Sequence, residues 1–376
     1  MAWECRKKKP KVNRGPLVEI DLSALSHNLG ILRNITNNRP VIAVVKADAY
    51  GHGAAEVSGR LLQEGVSSLA VAFTGEARML RDAGIKAPIL VLFDRDDPAD
   101  YFDLGLTPVI QDLATAARFS KEAEKKGKNI RVHLKIDTGM GRLGFYPDQA
   151  VADAVAIASM QGIDIEGLMS HFSEADLSDR SYAMRQIDIF SRVRKEISER
   201  LHRSFTCHMA NSAASLSLTD ALFDAVRPGI LLYGYSPFED QHGFKPLMTI
   251  KTKILALRNI ASGSPVSYGR TFIAKRPSMI AVVPIGYADG YNRLFSNNAE
   301  MLVRGRRVPV AGRVCMDLTM VDVTDVRDVS VGDEVVILGR QGEEFISAVE
   351  LASRINTIPY EILISLGSRA GRKYLT

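Results

Sequence analysis

Two regimes of hydrophobic patterning divide the chain. From residue 41 to about residue 233, short runs of consecutive apolar residues alternate with longer stretches in which apolar positions recur every three or four residues. Continuous apolar runs bounded by turn residues read as strands buried on both faces, and the longer period reads as amphipathic helix. The strand candidates are residues 41–46, 68–72, 88–93, 107–110, 130–136, 164–169, 204–208 and 223–227. Between them lie helical stretches such as 112–126, with Asp112 placed to cap its start and Gly127 to stop it, and 180–201, whose Ile187, Phe190, Val193, Ile197 and Leu201 share one face. Eight strands alternating with helices over roughly 200 residues predict a (β/α)8 barrel, an α/β fold. A doubly wound parallel sheet is the alternative, but no GxGxxG follows the first strand. Ahead of the barrel, residues 18–21 alternate like a short strand, and Leu22, Leu25, Leu29 and Leu32 mark the buried stripe of a helix that Asp21 or Ser23 can cap.

The period changes after Tyr233. Residues 237–243 read as a linker, and beyond them strand follows strand: 248–257, 279–285, 301–314, 320–323 and 334–338, separated by Gly, Asp and Asn turns. A late helix over 348–356 and a last strand around 360–366 complete a mostly-β second domain. The expected division is a flexible tail at 1–14, a barrel domain at 15–240 and a β domain at 241–376, with the strand at 17–21 joining the latter.

Composition changes this picture little, except at the N-terminus. The chain has 376 residues, 46% apolar and 24% charged, with no apolar run of membrane-spanning length. Its net charge of +5 invites a nucleic-acid reading, but Arg6, Lys7, Lys8, Lys9, Lys11 and Arg14 against Glu4 account for all of it. The body is neutral, so the tail reads as a solvated extension rather than a polyanion-binding surface. The opening residues lack the apolar core of a secretion signal, which places the chain in the cytoplasm. Cys5, Cys207 and Cys315 lie far apart without metal-ligand spacing, so neither a disulfide framework nor a metal site is expected.

Candidate chemistry gathers where strands end. The run VIAVVKADAYGHG puts Lys46 at the carboxyl end of the first barrel strand, followed by Tyr50 and a Gly-His-Gly bend. A desolvated lysine there can titrate low enough to act as an amine nucleophile toward a carbonyl, or it can be a barrel-mouth lysine paired with a carboxylate such as Asp48. Period two in residues 131–137 sends His133, Lys135 and Asp137 to one face, a polar lining inside the barrel. TGMGRLGF presents Arg142, suited to a planar carboxylate or to a bridge with Asp137. His171 follows another strand end. Arg227-Pro228-Gly229-Ile230, with Asn211-Ser212 nearby, carries a positive charge and free amides after the last strands, where such barrels bind phosphate. In the β region, Ser267-Tyr268-Gly269, Gly286-Tyr287 and Cys315-Met316-Asp317 each set a functional side chain in a turn.

Taken together, AVVKADAYGHG, KIDTGMGRLGF, HMANSAA, RPGILLYG, VSYGRTF, PIGYADGY, VAGRVCMD and INTIPYE closely resemble alanine racemase. That family is pyridoxal-phosphate dependent and couples a (β/α)8 barrel to a C-terminal β domain. The resemblance implies that Lys46 carries pyridoxal 5'-phosphate as an internal aldimine and serves one face of the substrate α-carbon, while Tyr268 serves the other. It further implies that Arg227 faces the pyridine nitrogen, with His171 against the ring and His208 behind Arg227. Arg142 would orient the phenolic end of the cofactor and Tyr268. Tyr50, Ser212, Gly229, Ile230 and Tyr360 match the phosphate cradle, with Asn211 beside it. Met316 matches a backbone donor to the substrate carboxylate, supported by Cys315 and Asp317, and Tyr287 a channel residue. Lys135 matches a position the family can carbamylate. The tyrosine and the carboxylate donor reach the site from a second subunit in the family, so a homodimer with shared sites is implied.

Racemisation takes a proton from one face of Cα and returns one to the other, which requires two groups on opposite sides. Tyr268 must then lose its proton near neutral pH; a three-unit drop from its reference pKa of about 10 is worth roughly 4 kcal/mol, and cationic neighbours such as Arg142 can supply it. Arg227 cannot take a proton from the ring nitrogen as an aspartate shares one, which implies a weaker electron sink and less transamination. The function expected is interconversion of L- and D-alanine, an isomerase activity supplying D-alanine for peptidoglycan. The rivals are a serine, lysine or broad-specificity racemase, a fold-related decarboxylase, and a non-catalytic carrier of the same cofactor, which lacks the β domain.

Overall fold

The computed structural model describes residues 15–94, 97–238 and 242–376. The tail at 1–14 and the centre of the linker expected at 237–243 lie outside them. The described residues form two compact units, one running from Leu22 to Pro246 and the other combining residues 15–21 with Leu247–Thr376.

In the first unit, strands β2 (Ile42–Val44), β3 (Ser68–Val71), β4 (Ile89–Val91), β5 (Thr107–Ile110), β6 (Ile130–Lys135), β7 (Ile163–Met169) and β8 (Thr206–His208) pair in sequence order, all parallel; β1 (Leu17–Asp21) belongs to the other unit. The eighth barrel strand is reduced to single bridges: Ala225 pairs with His208 and Val226 with Val41, both parallel. The Ile42 amide donates to the Val226 carbonyl at 2.9 Å and the Val44 amide to that of Pro228 at 3.0 Å, so the sheet closes on itself. The helix Leu113–Lys126 starts where Asp112 accepts the Thr115 amide and ends on Gly127 in the left-handed conformation, as its sequence predicts. The helix Ser181–Leu201 buries Ile187, Phe190, Val193 and Ile197, with Leu201 half-buried. Val18 and Ile20 point inward from β1, and the helix Leu22–Ile35 buries all four of its periodic leucines.

The second unit is mostly β. Its main sheet runs Arg306–Pro309, Glu300–Val303, Glu334–Gln341, β9 (Met248–Lys253), β1, Gly371–Leu375, antiparallel except for the last pair. A second sheet holds Ala256–Ile260, Ser278–Val283 and Thr319–Asp322. Three expectations are corrected here. The strand expected over 301–314 is a hairpin, because Arg304 (φ 52°) and Gly305 (φ 73°) form a two-residue turn whose twist suits antiparallel partners. The strand expected over 248–257 is divided between the two sheets. Residues 360–366 are not strand: the helix Pro359–Ser365 occupies them, because proline fits the first helical turn, where its missing N–H costs nothing. No helix among the described residues is long and apolar enough to cross a membrane.

Candidate active site

The barrel unit mounts its charged side chains at the carboxyl ends of its strands. Lys46 follows β2, Lys135 ends β6, His171 follows β7, His208 ends β8, and Arg227 follows the closing bridge. Beyond Lys46 the backbone does something the sequence does not advertise. Ala47, Asp48, Ala49 and Tyr50 all have φ between 52° and 55°, a full turn of left-handed helix made without glycine. Such a turn costs about 1–2 kcal/mol per residue and persists only where its surroundings hold it. They do: Glu76 accepts the Ala47 amide at 2.6 Å and the Ala72 amide at 2.7 Å, and Asp48 accepts the Ala54 amide at 2.8 Å. The turn ends on Gly51 and Gly53, and the His52 ring packs 4.7 Å from that of Tyr233.

The Lys46 amine is pushed below the ordinary lysine pKa, first by desolvation and then by Arg142, with Glu76 acting in the opposite direction. The carboxylate that bears on it is therefore Glu76, from the helix Thr74–Asp82 that follows β3. Lys46 Nζ lies 5.4 Å from the Phe93 ring centroid, Lys135 Nζ 5.5 Å and the Arg142 guanidinium carbon 5.5 Å, so one aromatic ring serves three cations. Asp137 spends its carboxylate on the amides of Gly139 and Gly141. Lys135, 2% exposed, is pushed down to about 8 by burial and then by Arg142 and Arg227.

Arg227 is 4% exposed. It donates to His208 Nδ1, the His208 carbonyl and the Ser170 carbonyl, each at 2.7 Å, and lies 3.4 Å from His171 Nδ1; among the described residues no carboxylate bonds to it. Desolvation lowers its pKa to about 9, and desolvation together with the Arg227 charge pushes both His171 and His208 well below the usual histidine value. Gln186 fixes the loop under His171 by donating to its carbonyl at 3.2 Å. At the adjoining loop, Ser212 Oγ accepts the amides of Gly229 (2.9 Å) and Leu231 (3.4 Å), while Asn211 caps the helix Ser212–Ser217 through the Ala214 amide. A Cβ on Gly229 would stand 2.3 Å from the Tyr50 hydroxyl, so glycine is required there, next to Ile230. The Tyr50 ring packs 4.7 Å from that of Tyr233, whose hydroxyl donates to the Val44 carbonyl at 2.9 Å.

The second unit gathers its own group. Ser267 (φ 64°) donates to the Arg313 carbonyl at 2.6 Å and holds Tyr268 outward, 69% exposed. The amides of Tyr287 and Ala288 donate to the carbonyls of Cys315 and Met316, both at 3.0 Å. Gly286 packs so closely that a Cβ would stand 2.3 Å from the Met316 carbonyl. Arg369 ties Asp289 (2.9 Å) to Asp317 (2.7 Å), fixing the Met316 turn from behind. Tyr360 lies on the helix Pro359–Ser365. Among the described residues no group of three His, Cys, Asp or Glu is placed to hold a metal.

Sequence reasoning missed Glu76, Phe93 and Gln186. Phe93 alone carried a signal, its position at the end of a barrel strand; the other two act on loops distant in sequence.

Comparison with known proteins agrees with this architecture. Residues 20–237 match the alanine racemase N-terminal domain family and residues 247–374 the alanine racemase C-terminal domain family. The alanine racemase of Thermodesulfovibrio yellowstonii is 49% identical over 361 residues, covering 95% of this chain and 97% of that protein. The solved alanine racemase of Clostridium difficile 630 superposes with a TM-score of 0.92 at 35% identity, covering 97% of each chain. That of Bartonella henselae, solved with covalently bound pyridoxal phosphate, superposes with a TM-score of 0.87 at 30% identity over 96% of this chain and 99% of that one. The chain belongs to the alanine racemase family of isomerases.

Proposed function

We propose that the chain interconverts L- and D-alanine with pyridoxal 5'-phosphate, Lys46 and Tyr268 acting on opposite faces of the substrate α-carbon, and that in the cytoplasm it supplies D-alanine for peptidoglycan. The observation that carries this reading is the barrel mouth itself. A desolvated lysine with a lowered pKa shares it with the buried cation Arg227 and with a loop whose amides converge on Ser212 beside the Tyr50 hydroxyl. The residues suit the cofactor: Lys46 would hold its aldehyde carbon, Arg227, backed by His208, and His171 would meet its ring, and Tyr50, Ser212, Gly229, Ile230 and Tyr360, next to Asn211, would hold its phosphate. The bound cofactor spreads the electron pair left on the α-carbon.

The protein's part is to place protons. Lys46, its pKa lowered by desolvation, accepts a proton on one face and returns it there. Tyr268 does the same opposite, with Arg142 stabilising its phenolate. Met316 binds the substrate carboxylate through its amide, on a turn held by Cys315 and Asp317, and Tyr287 lines the approach. Tyr268 and Met316 stand 69% and 54% exposed on their unit, as groups offered to another surface would. We assign them to the active site of a partner subunit, making the enzyme a homodimer with two shared sites. Lys135, ringed by Arg142, Arg227 and Lys46, is suited to carbamylation: a carbamate there would replace a fourth positive charge with a negative one.

The test is incubation of the purified holoenzyme with L-alanine in deuterated water. The reading requires loss of optical rotation with deuterium at Cα of both enantiomers. An enzyme that shows cofactor absorbance but leaves alanine unchanged, while racemising serine or lysine, would sink the alanine assignment.

A further inference from the structure

Behind Arg227 a line of hydrogen-bonding groups crosses the barrel interior toward the opposite end. Arg227 Nη1 donates to His208 Nδ1 at 2.7 Å; His208 Nε2 lies 2.7 Å from His133 Nδ1; His133 Nε2 lies 3.5 Å from Glu166 Oε2; and Glu166 Oε1 accepts from Arg131 Nη1 at 2.9 Å. Both imidazoles are buried, whereas Glu166 is partly open and Arg131 mostly so. The line is built in: a Cβ on Gly167 would stand 2.6 Å from the His133 ring, and the β6–β7 register shifts between Val132 and His133.

Donor and acceptor rules give the line one direction. A guanidinium can only donate, so His208 Nδ1 must be the acceptor and its proton sits on Nε2. That proton points at His133 Nδ1, which therefore accepts, leaving the His133 proton on Nε2, aimed at Glu166. Each imidazole is thereby held neutral in a single tautomer between a buried cation and a carboxylate.

We propose that Glu166 is a distal positioning residue for Arg227: acting through His133 and His208, it selects the tautomer that lets His208 accept from the guanidinium and so fixes the orientation of Arg227. The proposal rests on reading Arg227 as the group that faces the cofactor ring, but the tautomers belong to the protein and can be read without substrate. The experiment is nitrogen NMR of histidine-labelled holoenzyme, native and with Glu166→Leu, Glu166→Gln and Arg131→Leu, alongside kcat and KM for alanine. The expected result is Nε2-protonated His133 and His208 in the native protein. In Glu166→Leu these signals shift and kcat falls about three- to thirtyfold with KM little changed. Glu166→Gln, which keeps an acceptor, restores the tautomers, and Arg131→Leu, which leaves the acceptor in place, moves neither readout. Unaltered histidine signals in Glu166→Leu, a native His208 protonated on Nδ1, or an equal kcat loss in Arg131→Leu would each overturn it. Failure to load cofactor or to racemise any amino acid would instead count against the functional reading.

Discussion

In the barrel unit Arg227 is 4% exposed and Lys135 2%, while in the β unit Tyr268 stands 69% exposed and Met316 54%. The barrel encloses a set of positive groups and holds them with carbonyls, imidazoles and an aromatic face. The β unit instead stiffens backbone turns, through Ser267, Gly286 and Arg369, and leaves the side chains in solvent. Desolvated cations lower one another's pKa values where an amine must shed its proton. Rigid turns present groups whose environment is completed only when another surface covers them. The first region encloses its cations, and the second, on the proposed reading, is half of an interface.

The sharpest way to break this contrast is Lys46→Ala. Loss of cofactor absorbance and a kcat drop of about a thousandfold or more are expected, since the variant removes both the proposed tether and a proposed proton carrier. Next in size is Tyr268→Phe, expected to cost about a hundredfold to ten-thousandfold in kcat while leaving cofactor absorbance intact. Mixing the two inactive variants under conditions of subunit exchange should regenerate activity that neither has, because one mixed site would combine an intact Lys46 with an intact Tyr268. If the mixture stays dead although mixed dimers form, the half-interface reading is wrong. A smaller effect is expected from Gly229→Ala, whose methyl meets the Tyr50 hydroxyl: about 1–3 kcal/mol of stability measured by denaturant titration, with weaker cofactor binding by equilibrium dialysis.

The mildest effect concerns Lys135. Its folded pKa of about 8 lies below the unfolded value, so between that pH and the ordinary lysine pKa the unfolded chain binds more protons and stability rises with pH. Below that window both states are charged and the folded chain carries the whole desolvation penalty. Lys135→Met should therefore gain most on the native protein below about pH 8, the difference shrinking as pH rises, when chemical denaturation is followed in carbonate-free buffer. A difference that does not vary with pH would show that Lys135 is not held against its charge. Added bicarbonate should erase the pH dependence if the amine is carbamylated.

What the sequence made legible follows from the range of the forces involved. Asp112 and Gly127 bracket their helix through bonds to near neighbours, and the early barrel strands, at 41–45 and 89–93, announce themselves as unbroken apolar runs. The hairpin at Arg304-Gly305 and the helix beginning at Pro359 escape a reading by pattern because short apolar runs such as 301–303 and 362–364 fit either period, and the turn chemistry decides. Glu76 was invisible because its carboxylate acts on the Ala47 amide, 29 residues away. Lys46 and the Arg227 loop stood out as candidates, since charged residues at the ends of buried strands are conspicuous. The three cations around Phe93 did not, since a phenylalanine at the end of a strand reads first as core packing.

The left-handed turn at 47–50 has a stereochemical consequence. Its φ and ψ near +50° are the mirror image of an ordinary helix, the region natural to D-residues. A chain assembled by ligation with D-alanine in place of Ala47, which is only half-buried, would therefore carry a relaxed link there and melt higher. The segment that follows Lys46 is thus built in the backbone handedness of the product that the enzyme is proposed to make.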